Sequence, residues 1–199
     1  MSNRPKARPH GALIPPFLSL TTLPLTSPKK QRPVVTLTQL LDSRDARRDR
    51  QQTLLADWPG RTLVVLTVIL PGNEKRTDAS LLIAREACRA LTARLGDTVH
   101  HHETHDLATG FEGYWLTTLG LDEAKRLAIA LEDAHPLGRL FDIDIINPQG
   151  IPLSRQHLGM APRRCLLCGH EARYCMRNRT HTREELLARI AQIVADYVG

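Results

Sequence analysis

The chain has 199 residues, a formal net charge of +6 and only 4% aromatics, so there is room for one domain whose core must be built mostly of Leu, Ile, Val and Ala. Six of its 27 Lys and Arg fall in residues 1–34, which hold no acid, and the remaining 21 match the 21 Asp and Glu. The basic excess therefore belongs to the first segment and argues only weakly for a nucleic-acid surface.

No apolar run reaches the length of a membrane span, and four cysteines without a signal-peptide pattern point to a reducing, cytoplasmic setting. Residues 1–34 hold seven of the thirteen prolines and no sustained period, which reads as an irregular or disordered basic extension ahead of a single domain over 35–199. An acid-free start is also similar to an organelle transit peptide, although Pro15, Pro16 and Pro24 spoil the amphipathic helix such a peptide needs.

From Thr36 to Trp58 the pattern is helical, with Leu37, Leu40, Leu41, Leu54, Leu55 and Trp58 on one face. Arg44, Asp45, Arg47 and Arg48 fall at helical neighbour spacing, as a solvated face with internal ion pairs would; the sharper reading sends Arg44 or Arg48 to a phosphate. Thr62–Leu70 is continuously apolar and β-branched, hence a buried strand. Asp78–Leu95 reads as a helix stopped by Gly96, with Cys88 an ordinary small core residue. Thr98–Thr104 is a strand on which alternation parts His100 and His102 from His101, so these histidines cannot share one metal. Gly110 and Gly113 mark a turn before a short strand, Tyr114–Leu119. Asp122–Ala134 is a helix stopped by Pro136 and Gly138.

The stretch HPLGRLFDIDIIN, 135–147, follows as a half-buried strand. Asp142 and Asp144 lie two apart and so share a face. Two carboxylates there repel each other and lose hydration. A divalent ion offsets both costs, and hard oxygen donors on a rigid strand suit Mg²⁺ with substrate phosphate oxygens. Arg139 is placed to hold an anion nearby. The plainer alternative is an edge strand with a solvated outer face.

Strand, helix, strand, strand, helix, strand over 62–147 is the split βαβ order. The expected class is α/β (α+β): a ferredoxin-like, palm-like antiparallel sheet with helices on one face and the other face free for substrate. Pro148-Gln149-Gly150 is a turn after which Ile151–Arg155 can pair back as a hairpin strand. The segment that follows is rich in Cys and Arg. Cys165 and Cys168 form a CxxC, with Cys175 and His181 spaced to close a Cys₃His zinc site; reduced cysteines under a loop are the alternative. Arg155, Arg163, Arg164, Arg173, Arg177 and Arg179 supply guanidinium forks that match phosphate oxygens. The last helix, Arg183–Tyr197, turns Leu186, Leu187, Ile190, Ile193 and Val194 inward.

HPLGRLFDIDIINPQG, the LSR at 153–155, APRRCLLCGHEARYC and the TH at 180–181 resemble the apo-citrate lyase phosphoribosyl-dephospho-CoA transferase family, also called the holo-acyl-carrier-protein synthases of citrate lyase. LLDSRDARRDRQQ at 40–52 is similar to that family's first helix. The resemblance covers roughly residues 36–190; the family commonly has Trp where this chain has Phe141, and the long first segment departs from it.

The resemblance implies a nucleotidyltransferase. Its donor is 2′-(5″-triphosphoribosyl)-3′-dephospho-CoA, its acceptor a serine of the citrate lyase acyl carrier (gamma) subunit, and diphosphate leaves; neither nucleic acid nor membrane is a partner. In that reading Asp142 and Asp144 are catalytic and hold Mg²⁺, and Arg139, Arg155, Arg164 and Arg44 clamp phosphates. A third acid comes from among Asp106, Glu112 and Asp133. Zn²⁺ at Cys165, Cys168, Cys175 and His181 stays a structural option. Two other readings stand beside it: the equivalent transferase for the malonate decarboxylase carrier, and a non-catalytic, zinc-stabilised docking module.

Overall fold

The computed structural model describes residues 34–199. The expectation of an irregular extension over 1–34 thus lies outside the described residues, save for the exposed Val34. The elements run α1 (Leu37–Asp57), β1 (Thr62–Val68), α2 (Asp78–Leu95), β2 (Val99–Leu107), β3 (Gly110–Thr117), α3 (Leu121–Ala134), β4 (Phe141–Ile146), α4 (Ala172–Asn178) and α5 (Arg183–Val198). Among the described residues no helix is long and apolar enough to cross a membrane.

The β-branched run of β1 takes an inner place in a four-stranded sheet ordered β2-β3-β1-β4, every pair antiparallel. This is the sheet of the split βαβ unit, as the order of elements predicts. Alternation along the strands builds the main core on one face. Val64, Leu66, Trp115, Phe141, Ile143 and Ile145 from the strands meet Ile83, Ala87 and Leu91 of α2, Ala124 and Ala128 of α3, and Ile190 of α5. Reciprocal capping boxes start α1 at Thr36 with Gln39, α2 at Thr77 with Ser80, and α5 at Thr182 with Glu185.

The opposite face departs from expectation because it is not free along its whole length. Leu54 of α1, with Leu55 and Trp58 beside it, packs on Leu63, Val65, Tyr114, Leu116 and Ile146. Of α1's two apolar groups only the C-terminal one is covered: Leu54 is buried, while Leu37 and Leu41 at the other end stay exposed. The arginine-rich middle of α1 also differs from the expected pattern. Its ion pairs reach other elements, Arg47 to Glu112 of β3 and Arg50 to Glu103 of β2.

Three smaller corrections follow from local packing. Gly113 is inside β3, not in the turn; a Cβ there would lie 2.6 Å from the buried Trp115 ring and would displace it. Ile151–Arg155 forms no strand, only one bridge between Ile146 and Pro152, and the chain curls into a 3₁₀ turn over Arg155–Leu158. The short helix α4, absent from the sequence reading, lies between the CxxC and His181 and carries Cys175.

Candidate functional site

β4 places the two aspartates. Phe141, Ile143 and Ile145 are buried in the main core, and Asp142, Asp144 and Ile146 point to the α1 side. Strand register then sets out rows across that face. Asp142 lies beside Thr67, which lies beside Glu112, which lies beside His105; the next row is Asp144, Val65, Tyr114 and Glu103. Carboxylates thus recur across three strands in adjoining rows, a placement no linear spacing reveals.

The outer edge of β4 is sealed. Ile143 N–H donates to Glu132 Oε1 at 3.0 Å, Leu153 N–H to the Ile145 carbonyl at 2.8 Å, and Arg163 Nη2 to the Phe141 carbonyl at 2.5 Å. Upstream, Gly138 lets the chain pass over the end of α3, where an added Cβ would meet the Glu132 carbonyl oxygen at 2.5 Å. Both devices fix the strand, and so the direction in which its aspartates point.

Asp142 is about half exposed; it accepts from Thr67 Oγ1 at 3.3 Å and lies 3.5 Å from Arg163 Nη1. The Asp144 carboxyl is pushed up to about 6, first by burial and then by the charge of Asp142, against the pull of Lys125 and Arg47. Lys125, on α3, is itself buried, and burial holds its amine below the usual range while Asp144 and Glu132 act the other way. Two acids on one face with a raised carboxyl are the electrostatic setting that a divalent cation relieves.

The four predicted arginines separate. Arg139 donates to the Arg164 and Cys165 carbonyls at 2.5 and 3.4 Å, and burial and then Arg163 and Arg155 press it below the usual guanidinium range. Arg155 is taken up by Glu132 at 2.7 Å and Asp133 at 2.9 Å, so a phosphate would compete there with two carboxylates. Arg164 lies on the surface and donates to the Gly169 carbonyl at 3.1 Å. Arg44 lines a separate cleft that ends at Thr67. The guanidinium that reaches Asp142 is Arg163, which the sequence offers no means of preferring to Arg164 beside it.

The candidate third acids also separate. Asp106 is engaged by Arg76 at 2.6 Å and Asp133 by Arg155. Glu112 is buried on the aspartate face, where Arg47 Nε and the Tyr114 hydroxyl donate to it at 3.0 and 2.6 Å. The histidines of β2 part as alternation requires: His101 and His105 flank Glu103, and His102 stacks on Trp115.

A second cluster lies in the Cys-rich segment. Ligand atoms of Cys165, Cys168, Cys175 and His181 all fall within 4.8 Å of one another. Cys168 Sγ is 3.5 Å from Cys175 Sγ and 3.3 Å from His181 Nε2. Burial pushes the Cys165 thiol up, but the backbone N–H groups of Leu167 and Cys168 together with the Cys175 and Cys168 side chains outweigh this and bring it to about 7. This group could hold a metal ion. Sulfurs bound tetrahedrally to zinc lie roughly 3.8 Å apart, and the spacing here needs little change to meet that.

Comparison with known proteins places these residues in context. The family described as "Apo-citrate lyase phosphoribosyl-dephospho-CoA transferase" matches residues 35–197. Proteins of that name from Escherichia coli (strain SMS-3-5 / SECEC), Shigella boydii serotype 18 and Escherichia coli O157:H7 are each 38% identical over 165 residues, spanning 81% of this chain and 90% of theirs.

Proposed function

Because this chain belongs to the apo-citrate lyase phosphoribosyl-dephospho-CoA transferase family, we propose that its Asp142–Asp144 face is where the phosphoribosyl-dephospho-CoA group is transferred to a serine of the citrate lyase acyl carrier (gamma) subunit. The chain is an enzyme of that class, so the docking-module reading falls. In the transfer, the serine oxygen bonds to the α-phosphorus of the triphosphoribosyl donor. The bond to the β-phosphate breaks, diphosphate leaves with the electron pair, and the serine proton is released. The acceptor brings its own nucleophile, so no serine or cysteine of this chain need act as one.

The observation that carries the site is the pair of carboxylates on one face of a fixed strand, one of them with its carboxyl raised. Asp142 and Asp144 would hold Mg²⁺, which when bound supplies charge neutralisation on the phosphate oxygens. Arg163 is positioned to meet a phosphate beside Asp142. Arg139 and Arg155 hold the backbone and the carboxylates around it, and Arg164 stands at the surface next to them. Lys125 sets a compensating positive charge beneath Asp144. The Cys₃His cluster would hold a structural Zn²⁺, and a cytoplasmic setting suits the four free cysteines.

The test is the intact mass of purified apo carrier after incubation with the enzyme, the triphosphoribosyl donor and Mg²⁺. A gain equal to phosphoribosyl-dephospho-CoA is expected, lost with EDTA, restored by added Mg²⁺ and absent with Asp142→Asn. A wild-type enzyme that leaves this carrier unmodified but modifies the malonate decarboxylase carrier would overturn the assignment of acceptor.

A further inference from the structure

The cleft at Arg44 carries a charge pattern that the aspartate face does not explain. It lies between the first half of α1, the β2–β3 turn and the loop joining β1 to α2, and its polar lining includes Ser43, Arg44, Arg47, Thr67, Lys75 and Glu112. Three cations face one carboxylate, and that carboxylate is already engaged by Arg47 and Tyr114. Among the described residues neither Arg44 nor Lys75 forms an ion pair. Burial, and then the charge of Arg44, hold the Lys75 ammonium below its usual range. Like charges gathered in a partly dry cleft are costly, and an anion removes that cost.

The cleft is also held in shape. Val35 N–H donates to the Asn73 carbonyl at 2.9 Å on one side of Lys75. On the other side, Arg76 grips Asp106 of β2 with bonds of 2.8 and 2.6 Å. The Lys75 ammonium donates to the Leu70 carbonyl, and an ammonium has three donors, so two remain for a ligand. Ser43 and Thr109 hydroxyls bond at 2.8 Å, tying α1 to the β2–β3 turn. Thr67 is shared: it lines the cleft and donates to Asp142 at 3.3 Å. The cleft therefore adjoins the aspartate pair, with one strand position between them.

We propose that this cleft is a diphosphate subsite in which Lys75 and Arg44 receive the anion and Arg47, held by Glu112, closes one wall. The proposal rests on the transferase reading for its choice of ligand. A donor whose reacting phosphorus lies at Asp142 has two diphosphate groups to offer: the one that leaves, and the one within dephospho-CoA. Both present the same chemistry to two cationic side chains.

The experiment is equilibrium dialysis of the full chain against labelled inorganic diphosphate and, separately, dephospho-CoA, at fixed Mg²⁺. Wild type is compared with Lys75→Met, which keeps the aliphatic stem, Arg44→Gln, and Lys75→Arg as the charge-conserving control. A charged hydrogen bond of ordinary strength predicts about a tenfold or greater loss of affinity in Lys75→Met and Arg44→Gln, with recovery in Lys75→Arg and unchanged thermal melting. Loss confined to inorganic diphosphate marks the leaving group as occupant, and loss confined to dephospho-CoA marks the internal diphosphate. Equal binding by wild type and Lys75→Met, or no binding of either probe by wild type, overturns the subsite. A Lys75→Met enzyme that modifies the carrier with an unchanged KM for donor also overturns it and leaves the transferase reading intact. Failure of wild type to modify any carrier removes that reading while the dialysis result still decides the cleft.

Discussion

Single residues here do work that their neighbours in sequence cannot. Arg50 holds Glu103 with bonds of 2.6 and 2.5 Å, and with His101 and His105 it brings the Glu103 carboxyl down to about 2, against the opposing effect of burial. A carboxyl lowered on folding adds stability that is complete above its ordinary value near 4.5 and is lost as the pH falls through the folded value. At most about 3 kcal/mol is at stake, less what solvent screens. Urea midpoints should therefore fall between pH 5 and pH 2, and the Glu103→Gln protein should show a flatter acid limb; parallel limbs would contradict the pairing. Gly138 makes a different demand. Because its added Cβ would meet fixed backbone oxygens of α3 at 2.5 and 2.6 Å, Gly138→Ala should cost about 3 kcal/mol, read as a lower urea midpoint together with weaker Mg²⁺ dependence of transfer. The D-x-D pair and the Cys₃His spacing were legible as letters because each is local. Glu112 and Arg163 could be named but not ranked among their like, and Lys75 did not stand out, because their meaning comes from a strand register, a returning loop and a cleft wall.

At the scale of elements, β4 and the Cys-rich segment hold each other through exchanged arginines. Arg139, just before β4, donates to carbonyls of residues 164 and 165, and Arg163 donates to the Phe141 carbonyl and contacts Asp142. A metal in the Cys₃His cluster would stiffen the segment that supplies Arg163. Cys175→Ser should therefore lower bound zinc to well under one equivalent and also raise the Mg²⁺ concentration needed for half-maximal transfer. Loss of zinc with an unchanged Mg²⁺ requirement would show that the two sites are independent. Helix α1 gives the complementary lesson. Its existence and its start near Thr36 were readable from leucine spacing. Its docking was not, because leucines at both ends of a helix do not announce which end will be buried or which face of a sheet it will cover.

For the molecule as a whole, two unequal cores lie on either side of one sheet. The larger joins α2, α3 and α5 to the sheet, and the smaller seats Leu54 of α1 on five buried residues of the strands. Leu54 is the one fully buried residue of α1, so Leu54→Ala should cost about 2–5 kcal/mol. It should also speed amide exchange in α1 before α2, and weaken donor affinity more than it slows the bound reaction, since Arg44 and Arg47 ride on that helix. Uniform exchange in both helices would show one cooperative unit instead. Split βαβ order was visible from the alternation of strand-like and helix-like runs; the inequality of the two cores was not, since it depends on which side α1 chooses. The sealing of β4 reaches further. A four-stranded sheet has two rims, and Glu132, Leu153 and Arg163 occupy the outward groups of one of them. Among the described residues the other rim is β2's, the side on which a further strand could add, and two copies meeting there would use up each other's rim. Growth by strand addition through that rim would end at a pair.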